Sequence, residues 1–206
     1  MGQLIDEGRS TALVADLRAL MGTVRVLDAP GAVLDEAADL IRRANDLLAP
    51  HATLADVANG AVGMFRPGPH RDGSSGPTHV DEFPYSPVTG ALNPISPPLD
   101  FTFDGDRLRA RATFDLRYSG PPGGMHGGIV ALLFDELLGT ANHCHGVGAR
   151  TGTLSVRYER MTPLGVELEL EGWLDRVEGR KVFARGTISH QGVVTASSEG
   201  IFILSR

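Results

Sequence analysis

The stretch from Met125 to Cys144 reads MHGGIVALLFDELLGTANHC, a His-Gly-Gly turn that runs on into an apolar segment. From Ile129 to Leu138 only Asp135 and Glu136 are polar. Apolar side chains around most of the circumference predict a helix buried in protein, not one lying on its surface. So short an apolar run does not cross a bilayer. Asp135 is the anomaly. Burying an unpaired carboxylate is costly, so this group must be partnered, protonated, or set at a cavity that water and a ligand reach.

The two ends of the helix bear on that choice. Gly127 and Gly128 have no side chain, so a ligand atom can approach their backbone directly, and first-turn N–H groups have no intrahelical partner. The helix dipole adds partial positive charge there, which favours the oxygen that turns negative when a thioester or ester carbonyl is attacked. A carboxylate and an oxyanion site are two parts of a hydrolase. Yet Gly127 and Asp135 are eight residues apart in the chain, which is about 12 Å along a helix axis. A dimer in which Gly127 of one subunit faces Asp135 of its twin resolves this, with two equivalent sites across a two-fold interface.

The HGG motif, the Asp nine positions after its His, and the later segment TGTLSVRYERMTPLG together resemble the hotdog-fold acyl-CoA thioesterases of the PaaI type. The resemblance covers about Ser119 to Ser205. It implies an α+β hotdog fold, a long helix wrapped by an antiparallel sheet, dimerising so that active sites sit at the subunit boundary. It also implies that Asp135 is general base or nucleophile, that Gly127 supplies the oxyanion N–H, and that Thr151, seven residues before Tyr158, holds the attacking water. The substrate would be an acyl-CoA, with no metal and no tightly held cofactor. One departure is that many relatives carry an amide side chain shortly before HGG, where this chain reads Ser119-Gly-Pro-Pro-Gly-Gly124.

Composition bounds the rest. A chain of 206 residues, 42% hydrophobic and 21% charged, with net charge −6, is ordinary for a soluble globular protein. No basic run supports nucleic-acid binding. The single cysteine, Cys144, excludes an intrachain disulfide, and Asp6, Glu7, Arg9, Asp16 and Arg18 interrupt any signal-peptide or membrane-spanning core, making the cytoplasm the default compartment. The organisation predicted is an N-terminal helical extension over 1–59, a Gly/Pro-rich linker and extended arm over 60–98, and the hotdog domain over 99–206.

Within the extension, Val33, Leu34, Ala37, Leu40, Ile41, Ala44, Leu47 and Leu48 recur at helical spacing between Pro30 and Pro50. A looser first helix, with Leu13, Leu17, Leu20, Val24 and Leu27, is interrupted by Gly22 and could be capped by Ser10. Such a pair covers the core domain, packs on a partner subunit, or has no chemical part. Arg66 to His79 lacks periodicity and reads as a flexible loop. The prolines of Phe83 to Phe101 predict an extended path along apolar surface, over the acyl pocket or strapped across the sheet.

Strand signals begin at Leu99. LDFTFDGDRLRARATFDL alternates on both sides of Asp104-Gly105-Asp106, a hairpin with a tight turn. Further strands are expected at Thr151 to Arg160, Val166 to Val177, Lys181 to His190 and Val193 to Leu204. One helix with hairpin-linked strands describes an α+β fold with an antiparallel sheet.

The remaining candidates divide as follows. Glu136 is read as a solvent-facing or interface salt-bridge residue. His126 orients substrate or fixes the turn, and Gly128 contributes to the same loop. Arg150, Arg157, Arg160 and Arg176 are cations for the phosphates of coenzyme A. His143, Cys144 and His145 look like metal ligands, but alternate positions on a helix end do not converge on one ion. The rival readings are a hotdog hydroxyacyl-thioester dehydratase, whose motif is not found, and a non-catalytic acyl-CoA-binding or regulatory dimer. Either a homodimer or a tetramer fits.

Overall fold

The computed structural model describes residues 7–52, 84–97, 99 and 101–204. The loop predicted from Arg66 to His79 lies outside them, as does Phe83 of the arm.

The alternating segments fold into β1 (Phe101–Phe103), β2 (Leu108–Thr113), β3 (Ala149–Tyr158), β4 (Glu167–Glu178), β5 (Lys181–His190) and β6 (Val193–Leu204). All pairings are antiparallel, in the order β1-β2-β4-β5-β6-β3. At the first hairpin Asp104 Oδ1 accepts from the N–H groups of Asp106 (3.2 Å) and Arg107 (2.9 Å). Gly105 takes φ +95° there, where a side chain would be strained. Alternation sorts the two faces: Leu108, Ala110 and Ala112 of β2 are buried, whereas Arg109 and Arg111 pair with Glu171 and Glu169 of β4 on the outside.

Helix α3 (Gly127–Cys144) lies against the inner face with Val130, Leu133, Phe134, Leu137, Leu138 and Ala141 at most 1% exposed. Burying side chains of this size stabilises by roughly 1.5–3 kcal/mol each. Its close approach is made possible by Gly172, Gly186 and Gly200 on β4, β5 and β6. A Cβ at Gly172 would lie 2.8 Å from Leu137 Cγ, one at Gly186 3.0 Å from Leu138 Cδ2, and one at Gly200 3.1 Å from Leu138 Cδ1. The missing side chains leave a trough for Leu137 and Leu138.

The arm departs from the sequence expectation. Residues 84–97 are not extended but wind through successive turns, closed by Leu92 N–H to Pro84 O (2.8 Å), Gly90 N–H to Ser86 O (3.0 Å) and Ser96 N–H to Asn93 O (3.1 Å). Proline fixes its own φ without preventing a turn, and Ser86 and Asn93 supply the side-chain acceptors that favour one. Val88 and Leu92 are buried, as expected of an apolar lining, but Ile95 is exposed.

The extension holds two helices, α1 (Glu7–Arg25) and α2 (Gly31–Leu48). Ser10 lies inside α1 and does not cap it, and the helix runs through Gly22 unbroken. Arg18 ties α1 to the arm, donating to Gly90 O (2.9 Å), Asn93 O (2.8 Å) and Ser96 Oγ (3.2 Å). By contrast α2 buries none of its side chains. Within the protomer it does not cover the core.

Candidate active site

The turn before α3 is held from several sides. Met125 N–H donates to Thr162 O (2.8 Å) and His126 N–H to Tyr118 O (2.9 Å). Gly120 allows the loop to close, since a Cβ there would lie 2.7 Å from His126 Cα. His126 occupies the N-cap position with extended backbone, and its Nδ1 accepts from Gly128 N–H at 3.0 Å. Of the two roles read for His126, fixing the turn is the one this geometry displays. The bond requires an unprotonated Nδ1. Gly128 N–H is thereby occupied, while Gly127 N–H, at the first helical position, has no acceptor among the described residues.

Two turns further along, Asp135 is half-buried and accepts from Thr151 Oγ1 at 2.8 Å. Burial around most of the circumference, the expectation from composition, is not reached within the protomer. Gly128 is exposed, and Leu132, Asp135 and Gly139 are half-buried, so one flank of α3 stays open. Packing of this helix is one-sided because β3 ends the sheet: Thr151, Gly152, Thr153, Ser155, Arg157 and Tyr158 are exposed. A long strand edge left open in this way is a surface for another chain. The register between β3 and β6 shifts between Thr151 and Thr153. That irregularity lets Thr151 face α3 although Leu154, three residues on, also packs inward.

Glu136 is half-buried, not solvent-facing as one of the two readings of its sequence position had it. Its Oε1 accepts from Ser86 Oγ (2.8 Å) and Thr89 Oγ1 (3.0 Å), fastening the arm to α3. Glu136 turns away from Asp135 as the helical wheel requires, but the folded arm occupies the space on that side. Arg150, Arg157 and Arg160 are exposed on or just beyond β3, with Arg157 3.2 Å from Glu159. Arg176 is engaged elsewhere, bonded to Asp175 (2.7 Å) and Glu178 (2.6 Å) and stacked 3.8 Å from the Phe183 ring centroid. At the other end of α3, His145 Nδ1 lies 2.8 Å from Ala141 O and its ring meets Phe103 edge-on. No group of three or more His, Cys, Asp or Glu side chains among the described residues could hold a metal ion.

Tyr158 is the site residue that sequence reasoning missed. Its hydroxyl donates to Gly127 O at 2.8 Å. The signal was present in the period-two series Leu154, Val156, Tyr158, which places the ring on the helix side of β3.

A long helix on a six-stranded antiparallel sheet, with a carboxylate and a Gly-Gly turn on the open flank of that helix, is a hotdog-fold domain. A family model described as the thioesterase superfamily matches residues 122–197. The crystal structure of a thioesterase superfamily protein, 29% identical, superposes with a TM-score of 0.78 and covers 94% of each chain. Among curated proteins, acyl-coenzyme A thioesterase THEM5 of Homo sapiens is 32% identical over 87 residues, 41% of this chain. Acyl-coenzyme A thioesterase THEM4 of Bos taurus is 35% identical over 86 residues. Each alignment spans only 35% of the relative's length.

Proposed function

We propose that this protein hydrolyses acyl-CoA thioesters to free acid and coenzyme A, at two sites shared across a homodimer. The observation that carries the reading is the 2.8 Å bond from Thr151 Oγ1 to Asp135: a carboxylate on an open helix flank, oriented by a hydroxyl whose lone pairs remain free to accept from water. The thioester carbonyl oxygen rests on Gly127 N–H of one subunit, where the helix N-terminus favours developing negative charge. Asp135 of the other subunit takes a proton from water as its oxygen bonds to the carbonyl carbon. The tetrahedral centre then collapses, the C–S bond breaks, and the proton passes to the leaving thiolate. Arg150, Arg157 and Arg160 offer cations for the coenzyme A phosphates. The curated relatives' names support the acyl-CoA class, and the open edge of β3 supports a second subunit.

The test is thiol release from a panel of short, long and aromatic acyl-CoA thioesters by wild type and Asp135→Asn. Turnover that collapses in the variant while the dimer persists supports the reading. No turnover on any thioester, with acyl-CoA bound equally by both proteins, favours a non-catalytic acyl-CoA-binding dimer.

A further inference from the structure

Strand β3 carries a hydroxyl near each end. Thr151 bonds Asp135, and seven residues later Tyr158 Oη donates to Gly127 O at 2.8 Å. The Tyr158 ring lies against Gly127, where an added Cβ would be 3.4 Å from the hydroxyl and 3.5 Å from ring carbons. Two consecutive glycines open α3, and glycine has the widest backbone freedom of any residue. His126 restrains Gly128 through its N–H. The Gly127 carbonyl and the Gly128 N–H belong to one peptide unit, so Tyr158 and His126 hold that unit from its two ends, and the Tyr158 ring lies beside the Gly127 Cα next to the N–H at issue. Tyr158 is itself 53% exposed, whereas Leu154 and Val156 of the same strand pack against the core. Its hydroxyl therefore serves the turn more than the interior.

We infer that Tyr158 is a positioning residue for the oxyanion turn, holding Gly127 so that its N–H points at the thioester oxygen without itself touching substrate. This rests on the thioesterase reading with sites shared between subunits. A consequence follows from connectivity. Tyr158 acts on Gly127 of its own chain, while Thr151 of the same strand serves Asp135 of its own chain. Those two groups belong to opposite active sites, so each β3 supports half of each site.

Tyr158→Phe keeps the ring and removes the hydroxyl, so the fold has no reason to change. In the wild-type dimer assay, the variant is expected to lose about tenfold or more in kcat with KM within about twofold, since a small misplacement of an oxyanion donor weakens transition-state binding most. Mixed dimers purified through two affinity tags, one chain Asp135→Asn and the other Tyr158→Phe, provide the second arm. They contain one site with both defects and one intact site, and are expected to recover about half of wild-type turnover. A Tyr158→Phe enzyme within twofold of wild type in kcat, or one altered only in KM, overturns the inference while leaving the hydrolase reading in place. Mixed dimers no better than the weaker parent overturn the division between sites. Wild type without thioester turnover removes the hydrolase reading and this inference with it.

Discussion

Thr151 donates its hydroxyl to Asp135 at 2.8 Å across sixteen positions of chain, from an edge strand to the open flank of the central helix. A hydrogen bond to a charged partner contributes roughly 1.5–3 kcal/mol, which corresponds to about a ten- to hundredfold rate effect if it acts in the transition state. Thr151→Val is expected to lower kcat by that factor, and Thr151→Ser to restore most of it. Equal turnover by the Val and Ser variants would remove Thr151 from the mechanism.

His126 caps α3 with a ring nitrogen. His126→Ala leaves Gly128 N–H without its acceptor, and loss of an N-cap side chain costs about 1 kcal/mol. For a chain of this size the thermal midpoint should fall by about 2–4 °C. His126→Asn keeps a side-chain acceptor at the cap and should recover most of the loss in a calorimetric scan. If Asn is no better than Ala, the ring contributes by contacts other than this bond.

The trough under α3 has a steric test. A Cβ at Gly186 would lie 2.8 Å from Glu171 O as well as 3.0 Å from Leu138 Cδ2, and backbone does not give way as a flexible side chain does. Gly186→Ala is expected to destabilise by about 1–3 kcal/mol, the usual range for overpacking. Gly179→Ala provides a contrast. That glycine has open space around it but a φ of +58°, so its cost is local strain at the β4–β5 turn and not displacement of the helix. Denaturant midpoints of both variants, with far-ultraviolet circular dichroism for helix content, separate the two effects.

Asp115 gives a pH-dependent contribution. It caps the short 3-10 turn Leu116–Tyr118 and bonds the Arg117 guanidinium at 2.8 and 3.0 Å. The side-chain bond from Arg117 holds its carboxyl below the usual value of 3.8, although burial opposes this. A depressed folded-state value means that the stabilisation is fully present above about pH 4 and is lost as pH falls through the lower folded value. The unfolding midpoint of Asp115→Asn should therefore lie below wild type at pH 6, and the gap should close as pH falls from about 4 towards 2. A gap that stays constant over that range would mean the charged form is not what matters. Both groups are partly solvated, so the effect is modest.

Much of the fold was legible locally. Period-two alternation located all four long strands, and Asp104-Gly105 located the first hairpin, because side-chain direction and turn chemistry depend on neighbouring residues alone. The HGG turn and the apolar run after it located α3. Asp135 stood out because a carboxylate in such a run demands an explanation, and Gly127 because a side-chain-free helix start exposes its N–H. The same local reasoning misjudged the arm, where prolines were read as extension but Ser86 and Asn93 closed turns. It also took α3 to be buried around most of its circumference, since composition cannot reveal that β3 would be the last strand of the sheet.

What the amino-acid sequence determined by itself was therefore the elements, their order, and the two groups on the central helix. Only the tertiary structure decided what those groups touch: Tyr158 on Gly127, Ser86 and Thr89 on Glu136, Arg18 on the arm, and Leu137 and Leu138 over three glycines from separate strands. The physical reason is that periodicity and capping are set by residues a few positions apart, whereas these contacts join side chains many positions apart. Neither partner in such a contact carries a local signature of the other. Packing selects them from among all the hydroxyls, carboxylates and glycines the chain offers.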